Sequence, residues 1–131
     1  MTTKEAKKFH VANLIKIAKA DGKLTQEEVI FVKSVAIKLG VSSNEFNEVV
    51  LNIESVKEET PVTAEGRMNA LYDILTMMSL DMDANEEEIK ICAHLGELIG
   101  FTKEQVDKAI KLSVDNVNNV ITKDQIAAAI A

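Results

Sequence analysis

Residues 20–28 read Ala20-Asp21-Gly22-Lys23-Leu24-Thr25-Gln26-Glu27-Glu28, and sixty positions later the chain reads Leu80-Asp81-Met82-Asp83-Ala84-Asn85-Glu86-Glu87-Glu88. Each stretch is an acidic corner between two helices. An apolar run at helical spacing leads in and ends at Asp21 or Asp81. A capping residue, Thr25 or Asn85, then opens the next helix with Glu28 or Glu88 three positions on. Sliding residues 10–50 onto 70–110 without a gap pairs Asp21 with Asp81, Glu27 with Glu87, Glu28 with Glu88 and Gly40 with Gly100. Those are loop, cap and stop positions. Apolar positions match too, as in Leu14 with Ile74, Val29 with Ile89, Val35 with Leu95 and Phe46 with Val106. Two three-helix units explain the pattern.

Working outward, Phe9, Val11, Leu14, Ile15, Ile17 and Ala18 predict a helix from about Thr3 to Ala20, opened by a Thr2-Thr3-Lys4-Glu5 capping box. Val29, Val32, Val35, Ala36 and Leu39 predict a second from Thr25, stopped by Gly40. Ser42-Ser43-Asn44-Glu45 caps a third, whose Phe46, Val49, Val50 and Ile53 should point inward. Residues 56–62 have no period and hold the only Pro, so they read as the linker between halves. From about Thr63 to Leu80 the apolar residues surround more than half the circumference, which predicts the most buried helix. Its Met68, Met77 and Met78, with Met82 just beyond, read as core filler. Two more helices end the second unit, one from Asn85 to Gly100 and one capped by Thr102, and Thr122-Lys123-Asp124-Gln125 starts a closing helix. The expectation is all-α: a compact seven-helix domain spanning 1–131, built from two pseudo-repeats of three helices (about 3–55 and 63–114) and a closing helix at about 122–131.

Composition fits one globular domain, with 131 residues, 47% hydrophobic and 27% charged. The net charge of −6 lies wholly in the second half: residues 1–60 carry nine Lys and nine acidic residues, whereas 61–131 carry five Lys and one Arg against twelve acidic residues. Such a field repels phosphate backbones and suits cations or a basic protein partner, so no nucleic acid is expected. One Cys forms no internal disulfide, no apolar run reaches membrane-spanning length, and the first residues lack the apolar core of a signal peptide. A cytoplasmic location without a membrane span is the expectation, and a homo-oligomer is compatible with it.

The run Ala20-Asp21-Gly22-Lys23-Leu24-Thr25-Gln26-Glu27-Glu28 after an apolar helix resembles the signature of the tellurite-resistance TerB family, whose fold is also found in the N-terminal region of DjlA-like co-chaperones. The resemblance covers most of the chain. It implies a compact seven-helix domain with metal-binding acidic positions. These carry over to Asp21 and Glu28, and through the repeat to Asp81 and Glu88, with Glu27, Asp83 and Glu87 as weaker candidates. The second copy departs from the pattern at Met82 and Asp83.

The residues themselves allow two readings of the corners. An Asp at a helix C-terminus meets the negative end of the macrodipole and calls for a cation or a donor. Glu28 and Glu88, by contrast, occupy the third position of capping boxes, where structure alone explains a carboxylate. If a metal binds, carboxylates and carbonyls without His or Cys select Ca²⁺, Mg²⁺ or Mn²⁺ over Zn²⁺. The second corner is not an EF-hand, because Glu86 stands where Gly is required and Cys92 where a bidentate Glu is required. Cys92 and His94 point about 200° apart on a helix and do not form a ligand pair. Cys92 reads as core, and His10 and His94 as surface or boundary residues.

No nucleophile–base pattern, phosphate-binding Gly loop or cofactor fingerprint is present, so an enzyme is not expected. The functional expectation is a non-enzymatic TerB-like domain that binds a divalent metal in a tellurite-type stress response. The alternative is a helical protein-interaction or co-chaperone-type module with no metal site.

Overall fold

A computed structural model describes residues 3–20, 25–80, 86–116 and 119–131. Among these, every regular element is helical: α1 (Lys4–Lys19), α2 (Gln26–Leu39), α3 (Ser43–Leu51), α4 (Ala64–Ser79), α5 (Glu86–Ile99), α6 (Lys103–Asp115) and α7 (Lys123–Ile130), with a 3-10 turn at Ile53–Ser55 before the linker. The sixty-residue repeat is visible in the boundaries. The helices α1 and α4 both have 16 residues, and α2 and α5 both have 14, each pair starting sixty positions apart.

Side-chain caps fix most of these starts. Thr25 Oγ1 accepts from Glu28 N–H, Ser42 from Glu45, Thr102 from Gln105 and Thr122 from Gln125, and each third-position side chain accepts in return from the cap residue's N–H. One expected cap is displaced. Thr3, not Thr2, caps α1 and accepts from Ala6 N–H, so Glu5 falls one position short of closing a box. The helices α2 and α5 both end on a left-handed glycine, Gly40 at φ 80° and Gly100 at φ 125°, where a side chain would be strained. The next residue closes the turn each time: Val41 N–H donates to Ala36 O and Phe101 N–H to Gly96 O.

The core gathers around α1 and α4, which pack on each other, with α2, α3 and α5 against α1 and α5, α6 and α7 against α4. Ten of the sixteen residues of α1 are buried, against seven in α4, so α1 and not α4 is the most buried helix. The flanking helices cover even its polar positions His10 and Asn13. Leu75, Met77 and Met78 are buried as expected and Met68 partly so, while Met82 lies outside the described residues. His10 corrects the expectation of a surface or boundary residue. It is 3% exposed, and its Nε2 lies 2.9 Å from Asp73 Oδ2, tying α1 to α4.

The halves differ at the contact between their second and third helices. The helices α5 and α6 pack closely because Gly96 faces Val106: a Cβ on Gly96 would lie 2.7 Å from Val106 Cγ2. The corresponding residues in the first half are Ala36 and Phe46. There α2 and α3 make no comparable contact, and a cleft remains between them. Val49 is buried, but Val50, expected inside, is 37% exposed.

Candidate metal centre at the acidic corners

The first corner joins α1 to α2 and the second joins α4 to α5, and each of these helix pairs is packed together. Of the expected ligands, Asp21, Asp81 and Asp83 lie outside the described residues. Glu28 and Glu88 lie within them, at the third residue of α2 and α5, and both are 1% exposed. They rank among the largest fully buried side chains of the chain. Glu27 and Glu87, one position earlier on each helix, are exposed. Lys90 approaches Glu87 at 3.8 Å and Glu86 at 3.9 Å, a surface arrangement worth little energetically.

Local geometry explains part of the burial. Glu28 Oε1 accepts from Thr25 N–H at 3.0 Å and from the Thr25 hydroxyl at 2.9 Å. Glu88 is also engaged and not free. One turn along α5, Cys92 is 1% exposed. Burial pushes its thiol far above the usual range, and the Glu88 carboxylate adds to the shift. His94 points to solvent, so the two residues are separated as their spacing predicts.

Removing a carboxylate from water costs several kcal/mol unless hydrogen bonds or a cation compensate. Capping does not require that charge. In α6 and α7 the same position is filled by the neutral amides of Gln105 and Gln125. The donors present are therefore of the kind a hard divalent cation takes, namely buried carboxylate oxygens. Among the described residues, no three His, Cys, Asp or Glu side chains come together around a point where a metal ion could sit. Each corner contributes one buried carboxylate, and any further oxygen ligands would come from Asp21, Asp81 and the backbone around them.

Sequence reading missed the polar pair that ties α1 to α4. His10 and Asp73 join the helices that lead into the corners, and the pair has no second copy, because Ala70 and Asn13 stand at the corresponding positions. Among the described residues Asn13 Oδ1 is buried with no hydrogen-bond partner. A polar residue on the inner face of each half, Asn13 and Asp73, was the available signal.

Compared with protein-family models, with curated proteins and with solved structures, the chain matches none. No helix among the described residues is long and apolar enough to cross a membrane.

Proposed function

We propose that this chain is a non-enzymatic, TerB-like cytoplasmic domain that binds a hard divalent cation at its acidic corners as part of a stress response of the tellurite-resistance type. The observation that carries the reading is the matched burial of Glu28 and Glu88, each 1% exposed at the same register of its half. Asp21 and Asp81 complete the ligand set, with Glu27, Asp83 and Glu87 as outer candidates. Ca²⁺, Mg²⁺ and Mn²⁺ are the ions that all-oxygen ligation favours. Mn²⁺ added to the labelled protein should broaden the amide resonances around Thr25–Glu28 and Glu86–Glu88 before any others. Broadening spread evenly over exposed carboxylates such as Glu97 and Glu104 would oppose the reading.

A second reading, a co-chaperone-type interaction module whose corners are only turns, is favoured by the one-sided charge. The excess acidic residues of 61–131 include the exposed Glu65, Glu97 and Asp124, a surface suited to a basic partner. Such a complex should weaken as salt shortens the Debye length to about 8–10 Å. A complex indifferent to salt would count against it.

A further inference from the structure

The two halves of the chain act as controls for each other at the surface. In the second half, positions 90, 97 and 111 carry Lys90, Glu97 and Lys111, as a solvated helix face requires. At the corresponding positions the first half carries Ile30, Ile37 and Leu51, which are 59%, 76% and 82% exposed. The fold therefore does not need apolar residues there, and clustered exposed apolar side chains of this size mark a binding surface.

By helical spacing they continue the two stripes that line one cleft: Ile30 with Lys33 and Ile37 on α2, and Val50 and Leu51 four residues after Phe46 and Asn47 on α3. Ile30 and Ile37 lie two turns apart on α2, while Leu51 and the half-exposed Val50 lie on α3. Between the helices is the cleft left open because Ala36 and Phe46 replace the tight Gly96–Val106 contact, with a volume of about 280 Å³. We propose that this face of α2 and α3 docks an amphipathic helix of a partner protein, its apolar edge entering the cleft and its flanks carrying carboxylates.

The charge around the cleft selects that partner. Lys33 lines it and Lys38 follows Ile37, and among the described residues neither forms an ion pair. Of the acidic residues of α3, Glu45 is held by Lys4 at 2.8 Å, and Glu48 lies towards Lys8 of α1 at 3.9 Å and does not line the cleft. Ser42 and Ser43 place the N-terminal, positive end of α3 at the cleft's edge. A cleft with Ala36, Ile37, Val41 and Phe46 in its walls, Lys33 in its lining and Lys38 beside Ile37 is complementary to an acidic amphipathic helix. The assignment does not depend on whether a cation binds the corners.

The test is selection from a displayed library of short helical peptides with randomised faces. Enriched peptides should carry large apolar residues at i, i+3 or i+4, and i+7, with an excess of Asp and Glu beside them. Ile37→Glu with Leu51→Lys installs the residues of the second half and should keep the wild-type melting midpoint while weakening the selected peptides at least about tenfold. Lys33→Glu, which leaves the apolar face intact, should shift selection towards Lys and Arg flanks. No enrichment over the double variant, or enrichment of basic flanks on wild type, overturns the proposal. So does a wild-type dimer that the double variant dissolves, which would make the occupant a second copy of the chain.

Discussion

Glu28 does two things at one position: it closes the capping box on Thr25 and it places a carboxylate out of water. These separate by substitution. Glu28→Gln keeps an acceptor for the Thr25 N–H, as Gln105 and Gln125 do in α6 and α7, and removes the charge. Without divalent ions its melting midpoint should match or exceed wild type; with Mn²⁺ the order should reverse. Thr25→Ala removes the cap itself and should cost about 1 kcal/mol whether or not metal is present, read as a lower midpoint in thermal unfolding. Glu45 gives a pH dependence. Lys4 and the Ser42 backbone and hydroxyl hold its carboxyl down at about 2, against an ordinary 4.5. A depressed folded-state value contributes stability above about 4.5 that is lost as pH falls towards 2. Glu45→Gln should flatten the acid limb of the stability curve in that window, measured by denaturant unfolding at stepped pH.

At the scale of elements, the difference between the halves comes down to two positions. Gly96→Ala forces a methyl onto the branched, buried side chain of Val106 and should destabilise by about 1–3 kcal/mol. Ala36→Gly, its counterpart, introduces no clash but removes a buried methyl as well as helix propensity, and should cost about 1–2 kcal/mol. Chemical denaturation of the two variants checks the ordering. The repeat and helix positions were legible because caps and stops are local: Thr25, Ser42, Thr102 and Thr122 each announce a start three residues ahead of a Glu or Gln. At the first helix the Glu5 spacing pointed to Thr2, and the structure places the cap at Thr3, three residues before Ala6. Burial rank was not legible from α4 alone, since it depends on how many neighbours cover a helix and not on how apolar its surface is. Val50 failed for the same reason, because α2 does not close over α3. His10 escaped notice because Asp73, its partner, is sixty-three residues away.

For the whole molecule, the acidic corners are where sequence and structure meet: the repeat located them, and burial separates Glu28 and Glu88 from the exposed Glu27 and Glu87. The capping-box position already set Glu28 and Glu88 apart from Glu27 and Glu87 in the sequence, but their burial follows only from the packing of α1 on α2 and of α4 on α5. A cation at the corners would compensate the charge of the buried Glu28 and Glu88 carboxylates. The most direct measurement is thermal unfolding with Ca²⁺, Mg²⁺ and Mn²⁺, on wild type and on the Asp21→Asn, Asp81→Asn double variant. The account predicts that at least one ion raises the wild-type midpoint, reaching about 2.7 kcal/mol of stabilisation at a hundredfold excess over Kd, with the response lost in the double variant. A wild-type midpoint unmoved by all three ions, or a double variant that responds equally, would contradict it.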